Sequence, residues 1–178
     1  MSVLNVNDFS KQLKGGGARA NLFKVGLVSP VGDLNEISKY LVKAAQLPGS
    51  TVAPIEVPFR GRFLKISGDR TFEPWTVTVM NDTGFTIRRN LERWMSLINN
   101  HEDNQGVTDT DDYFADMSVA QLDRNGEVLR EYKIIGAWPS DLSPIDVSFD
   151  NSNQIEEYQV TFQYQYWVTE GLFENGGN

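Results

Sequence analysis

The stretch that most restricts the fold is EYQVTFQYQY, residues 157–166. Tyr158, Val160, Phe162, Tyr164 and Tyr166 fall on one side of it. Glu157, Gln159, Thr161, Gln163 and Gln165 fall on the other. A period of two sends successive side chains to opposite faces of an extended chain. A helix would scatter the same residues around its circumference. One strand leaves its backbone groups unpaired, so the chain must hold partner strands of the same kind.

Several segments qualify as partners. In GDRTFEPWTVTVMND, residues 68–82, Trp75, Val77 and Val79 alternate with Thr76, Thr78 and Met80. Residues 21–28 put Phe23, Val25 and Leu27 on one side, 30–33 read as a turn, and 37–44 read as a second strand. Residues 113–122 and 127–137 flank Asp123-Arg124-Asn125-Gly126, a hairpin signal. Residues 143–149 read as a strand with Ile145, Val147 and Phe149 inward and Asp146 and Ser148 outward. The last strand covers 155–168. Residues 51–58 are extended, but Pro54 and Pro58 confine them to an edge or an arm. Residues 62–67 alternate again. Gly68-Asp69-Arg70 and Pro74 then suggest a charged loop leading into Trp75.

Helical periodicity is evident in one long segment, residues 84–99. Ile87, Leu91, Trp94 and Ile98 form an apolar stripe, and Arg88, Arg89, Glu92 and Arg93 turn toward solvent or a partner. Val6, Phe9 and Leu13 predict a short N-terminal helix that Gly15-Gly16-Gly17 ends. The expectation is a mainly β chain, a β-sandwich or barrel of antiparallel strands. One α-helix at about 84–99 flanks it, with the short helix at the N-terminus. The 178 residues are expected to form a single domain, with a flexible tail at about 170–178. The predicted core includes Trp75, Val77, Val79, Ile87, Leu91, Trp94 and Ile98.

The residues needed for chemistry are scarce. Cysteine is absent and histidine occurs once, at His101 in an acidic loop. That removes Cys–His nucleophiles and the usual zinc cages. Asp109-Thr110-Asp111-Asp112 lacks the glycine and distal glutamate of a calcium loop. The glycine triplet lacks the Lys-Ser/Thr of a phosphate loop. No catalytic, cofactor or metal site is expected. No apolar run approaches the roughly 20 residues that span a bilayer, and residues 1–14 lack the order of a secretory signal, so no membrane anchor is expected.

Charge is unevenly spread. Residues 1–93 hold 13 basic and 8 acidic side chains, and residues 94–178 hold 3 basic and 16 acidic, for a net −8 overall. Copies of such a chain could meet positive face to negative face. The basic cluster is Arg60, Arg62, Lys65 and Arg70. The acidic balance and core-facing aromatics argue against a nucleic-acid grip.

Several passages together resemble the tail tube proteins of contractile-tailed bacteriophages. They are ARANLFKV, the LPG at residues 47–49, GDRTFEPWTVTVMND, RRNLERWMSLI with its central tryptophan, IGAWPSDL and FDNSNQIEEYQVTFQYQYW. The resemblance implies a structural, non-enzymatic subunit that forms hexameric rings stacked into a hollow tube within a contractile sheath. Its implied partners are further copies of itself, the tail sheath protein, the baseplate or tube initiator and the tail terminator. The tape measure protein and then DNA would pass through the lumen without specific binding. The implied location is the virion tail, assembled in the host cytoplasm. On this reading residues 51–74 are an inter-ring arm carrying Arg60, Arg62, Lys65 and Arg70. The lumen-wall candidates are Asp146, Ser148, Glu157, Gln159, Thr161, Gln163 and Gln165. Alternatives are a tube initiator, an injection-device or type VI secretion tube of the same fold, and a monomeric ligand-binding β-barrel. An enzyme using carboxylates is a further alternative.

Overall fold

The computed structural model describes residues 5–13, 17–150 and 152–169. The expected tail at 170–178 and two glycines of the triplet, Gly15 and Gly16, lie outside these. In chain order the elements begin with α1 (Val6–Gln12), β1 (Phe23–Gly26), β2 (Val28–Ser29) and β3 (Gly32–Asp33). Then follow α2 (Asn35–Leu41), β4 (Val42–Ala45), β5 (Thr51–Phe59), β6 (Arg62–Thr71), β7 (Trp75–Met80) and α3 (Thr86–Ile98). The chain closes with β8 (Ala115–Leu122), β9 (Val128–Leu142), β10 (Glu157–Gln163) and β11 (Tyr166–Thr169).

The main sheet is antiparallel, in the order β1-β8-β9-β10-β7-β4, with β11 also paired to β9. It folds over itself along β9. The first part of β9 pairs with β8 and β11, and its last residues pair with β10. Three features line up at the fold. Gly136 takes a positive φ of 62°, β8 bulges at Asp116, and β10 gives way to β11 at Tyr164 and Gln165. Asp116 Oδ1 accepts the Gly136 N–H at 3.0 Å, and Ile135 O accepts the Gln165 N–H at 3.0 Å. A Cβ at position 136 would lie 2.9 Å from Gln165 Cγ. Corners where strands pass between packed layers are built from such bulges and glycines.

The final segment is therefore two strands on one edge of β9, not one straight strand over 155–168. Tyr158, Val160 and Phe162 are buried, while Tyr166 lies beyond the bend and is half exposed. The core stacks Trp75 on Phe162 and Phe162 on Trp94, with centroid separations of 5.8 and 6.2 Å. Val77, Val79, Ile87 and Leu91 are buried around this stack, and Ile98 is partly buried. The large aromatics fill the interior where a ligand-binding barrel would keep a cavity.

Three further expectations are corrected. Residues 37–41 are helical, not extended. Asp33 Oδ1 accepts the Asn35 N–H, and Leu34, Ile37, Ser38 and Leu41 recur at helical spacing facing the core. The buried Ser38 hydroxyl accepts the Leu27 N–H and stands 3.1 Å from Val25 O, which compensates its burial. Residues 144–149 are coil. Ser143 exchanges hydrogen bonds with Gln159 through its N–H and its Oγ, but Pro144 has no N–H to continue the ladder. Val147 and Phe149 consequently face solvent, not the core. Arg88 does not simply face solvent either. It donates to Glu92 and to Ser143 O and stacks over the Tyr158 ring at 5.1 Å, tying α3 to the start of β10.

Candidate functional site

β5 and β6 pair only with each other, from Thr51↔Thr71 to Phe59↔Arg62, and stand apart from the main sheet. Nine residues at about 3.3 Å each give a hairpin on the order of 30 Å long. Gly68-Asp69-Arg70, expected as a loop, belong to β6. Gly68 is needed there, because a Cβ would sit 2.7 Å from Ala53 O. The hairpin's foot is tied down by two indoles. Trp75 Nε1 donates to Gln46 O at 2.7 Å, and Trp167 Nε1 donates to Gly49 O at 3.1 Å. Phe72 packs against Tyr164 beside them. Trp75, the first residue of β7, thus closes the excursion that its proline-marked approach ends.

Every residue of β5 is exposed, and so is every residue of β6 except Gly68. Directly opposed residues share a face. Ile55↔Ile66, Val57↔Leu64 and Phe59↔Arg62 make one face largely apolar. Glu56↔Lys65 and Pro58↔Phe63 make the other. A lone two-stranded hairpin is marginally stable in water, and an exposed apolar ribbon marks an interaction surface. The alternation Ile55, Val57, Phe59 is legible in the sequence, although Pro54 and Pro58, at the positions that alternate with these residues, read as marks of an edge or an arm.

The four basic arm residues are not equivalent. Arg60 and Gly61 form the two-residue tip, with φ of 46° and 80°, and the Arg60 guanidinium lies 5.4 Å from the Phe59 ring centre. Arg62 follows on the Phe59 side. Lys65 is 3.1 Å from Glu56 across the hairpin, so its charge is compensated within the arm. Arg70 sits near the foot, opposite Val52.

A second surface is the outer face of the layer formed by β4, β7, β10 and the end of β9. Glu157, Gln159, Thr161 and Gln163 alternate with the buried residues of β10 and project from this face. Thr76 and Thr78 of β7 lie opposite Thr161 and Gln159, and the two hydroxyls of Thr76 and Thr161 are 3.1 Å apart. A cation on this face, Lys43, is held by Glu157 at 2.6 Å. Asp146 and Ser148, though in coil and not in a strand, share a cleft with Lys43 and Glu157. Gln165 stands apart, exposed at the bend. This face is thus mainly hydroxyl and amide. The Lys43 partnership was illegible in the sequence because the two residues lie 114 positions apart.

His101 is exposed on a surface groove between α3 and β9. Among the described residues, no group of three or more His, Cys, Asp or Glu side chains is placed to hold a metal ion. No described helix is long and apolar enough to cross a membrane.

A projecting hairpin and a polar sheet face are the two surfaces that stand out on the described molecule. Among known families, the model described as phage tail tube protein matches residues 5–170. The chain belongs to the phage tail tube protein family. It is 32% identical over 164 residues to the tail tube protein of Enterobacteria phage T4, covering 91% of this chain and 98% of that one. It is 27% identical over 168 residues to the tail tube protein of Serratia phage KSP90, covering 91% and 95%. In fold it is similar to a chain of an extracellular contractile injection system sheath–tube complex in the extended state. The TM-score is 0.61 at 18% identity, covering 94% of this chain and 99% of that one. The expected mainly β fold and the expected tail tube family both hold.

Proposed function

We propose that this chain is the main tube subunit. Six copies close into a ring, rings stack into a hollow tube inside a contractile sheath, and the genome travels down the lumen. The observation that carries the reading is the β5–β6 hairpin, an ordered excursion whose apolar face is exposed among the described residues. Association with a neighbouring copy would cover that face. The role is structural, with no chemistry assigned to His101 or to the acidic loops. Near full-length similarity to phage tail tube proteins favours the main phage tube over an initiator or another injection device.

The polar layer carrying Glu157, Gln159, Thr161 and Gln163 is assigned to the lumen, with Asp146 and Ser148 at its rim and Gln165 at the bend. A basic wall would hold DNA phosphates through counterion release, with affinity accumulating per contact. Here Lys43 is paired, and hydroxyl and amide groups dominate the rest. The outside of the ring would meet the sheath protein, and its two ends the baseplate initiator and the terminator. The tape measure protein would occupy the lumen before DNA. Assembly in the host cytoplasm and residence in the virion tail follow from that role. Electron microscopy of negatively stained pure protein is the direct test. Rings or filaments about one lumen are expected, and a protein that stays monomeric at high concentration, with its arm intact, would refute the reading.

A further inference from the structure

The arm needs a receiving surface, and the groove between α3 and β9 has the matching chemistry. Met95 and Ile98 of α3 form one side of it, and Trp138, Pro139 and Leu142 of β9 the other. Its volume is about 720 Å³, enough for more than one aromatic side chain. One end is closed by residues 99–107, which fold back on the helix. Val107 N–H donates to Leu97 O, and Asn100 N–H donates to Gln105 O. Gly106 allows this approach, since a Cβ there would meet Ile98 O. The groove is therefore a built feature, with His101 and Asn104 on its rim.

Its electrostatics are one-sided. Among the described residues no Lys or Arg lines it, and Glu92, the acid that does, is paired with Arg88. Between the rim residues His101 and Asn104 the loop carries Glu102 and Asp103, and residues 102–112 hold no Lys or Arg. The hairpin tip is the complement. Phe59 and Phe63 are 68% and 64% exposed on opposite faces of the ribbon, flanked by Arg60 and Arg62. Arg60 also holds a left-handed conformation that favours Asn or Gly, an outlier of the kind that persists where a side chain has a task.

We propose that the tip of one copy, Phe59 to Phe63, docks in the α3–β9 groove of a second copy, rings in the groove and arginines on its acidic rim. The inference rests on the tube-subunit reading. Each copy carries one tip and one groove, so the contact is head-to-tail and propagates. It weakens with salt, because screening shortens from about 10 Å at 0.1 M to about 3 Å at 1 M.

Because the chain has no cysteine, the full-length double variant Gly61→Cys/His101→Cys, which keeps both rings and both arginines of the tip, reports the contact directly. Filaments of it, treated with a mild oxidant, should give a ladder of covalent multimers on a non-reducing gel. Either single variant should stop at dimers. In parallel, Arg60→Glu/Arg62→Glu and Glu102→Arg/Asp103→Arg should each raise the concentration needed for assembly at least tenfold, and their combination should recover most of it. Filaments of the double-cysteine protein that yield no ladder would overturn the groove. If the arm reversal also blocks assembly, the arm reading survives that result. Normal assembly of the arm reversal would remove both.

Discussion

Leu64→Ser separates what the arm does for the subunit from what it does for the assembly. Leu64 is 62% exposed in the free chain and sits on a hairpin whose strands pair only with each other. Fully burying a leucine is worth roughly 1.5–3 kcal/mol, so covering the remaining three-fifths contributes about 1–2 kcal/mol per contact. That corresponds to about a 5- to 30-fold rise in the concentration at which filaments form. Within the subunit the change removes the cross-strand pair with Val57, worth about 0.2–1 kcal/mol, and the loss is confined to the hairpin. The assay is sedimentation of filaments over a concentration series, beside urea unfolding of unassembled protein followed by core tryptophan fluorescence. The expected outcome is a raised assembly threshold with an unchanged unfolding midpoint. An unchanged threshold would show that the apolar face stays wet in the tube. A midpoint lowered by the full 1–2 kcal/mol would show that Leu64 packs at home.

Trp75→Ala and Trp94→Ala should each destabilise the subunit by about 3–5 kcal/mol in denaturant titrations, since each removes one ring of the central stack and an indole hydrogen bond. Gly136→Ala should cost about 1–2 kcal/mol from the left-handed backbone alone, more if Gln165 does not move aside, and Asn at the same position should recover part of the loss. Among the described residues the buried Tyr158 hydroxyl has no hydrogen-bond partner, and burial pushes its pKa up. The contribution of this group to stability is complete below the unfolded pKa of about 10 and is lost as pH rises above it, because only the unfolded chain then ionises. Tyr158→Phe should leave the urea midpoint at pH 7 unchanged or slightly raised, and should lessen the fall seen between pH 9 and pH 11. Changing Gln159, Gln163 and Gln165 to Lys should leave tubes intact but slow DNA ejection, measured by potassium efflux. Normal kinetics from particles carrying the lysines would take these residues out of the lumen.

What the sequence determined by itself is the set of facts that periodicity encodes. Trp75, Val77 and Val79 alternate whatever they pair with, and Ile87, Leu91 and Trp94 form one stripe on any helix. The hairpin at Asp123–Gly126 is likewise set by four residues, with Gly126 at a φ of 83°. The family was legible because the same passages recur in order along nearly the whole chain. Tertiary structure decided the cases where one local pattern permits two answers. The segment from Ile37 alternates as a strand would, yet Leu34, Ile37, Ser38 and Leu41 also match a helix, and the buried Ser38 hydroxyl selects it. Ile145, Val147 and Phe149 alternate too, but Pro144 denies them a ladder, so they never acquire a buried face. The break at Tyr164 and Gln165 has no local signal. It arises because β9 bends at Gly136, and a strand hydrogen-bonded to a bent neighbour must bend with it. The same holds for the two surfaces. Ion pairing of Lys43 with Glu157 and of Lys65 with Glu56, and the gathering of Met95, Ile98 and Trp138 into a groove, depend on which strands become neighbours. That choice rests on the free energy of burying the whole core, which no window of a few residues contains.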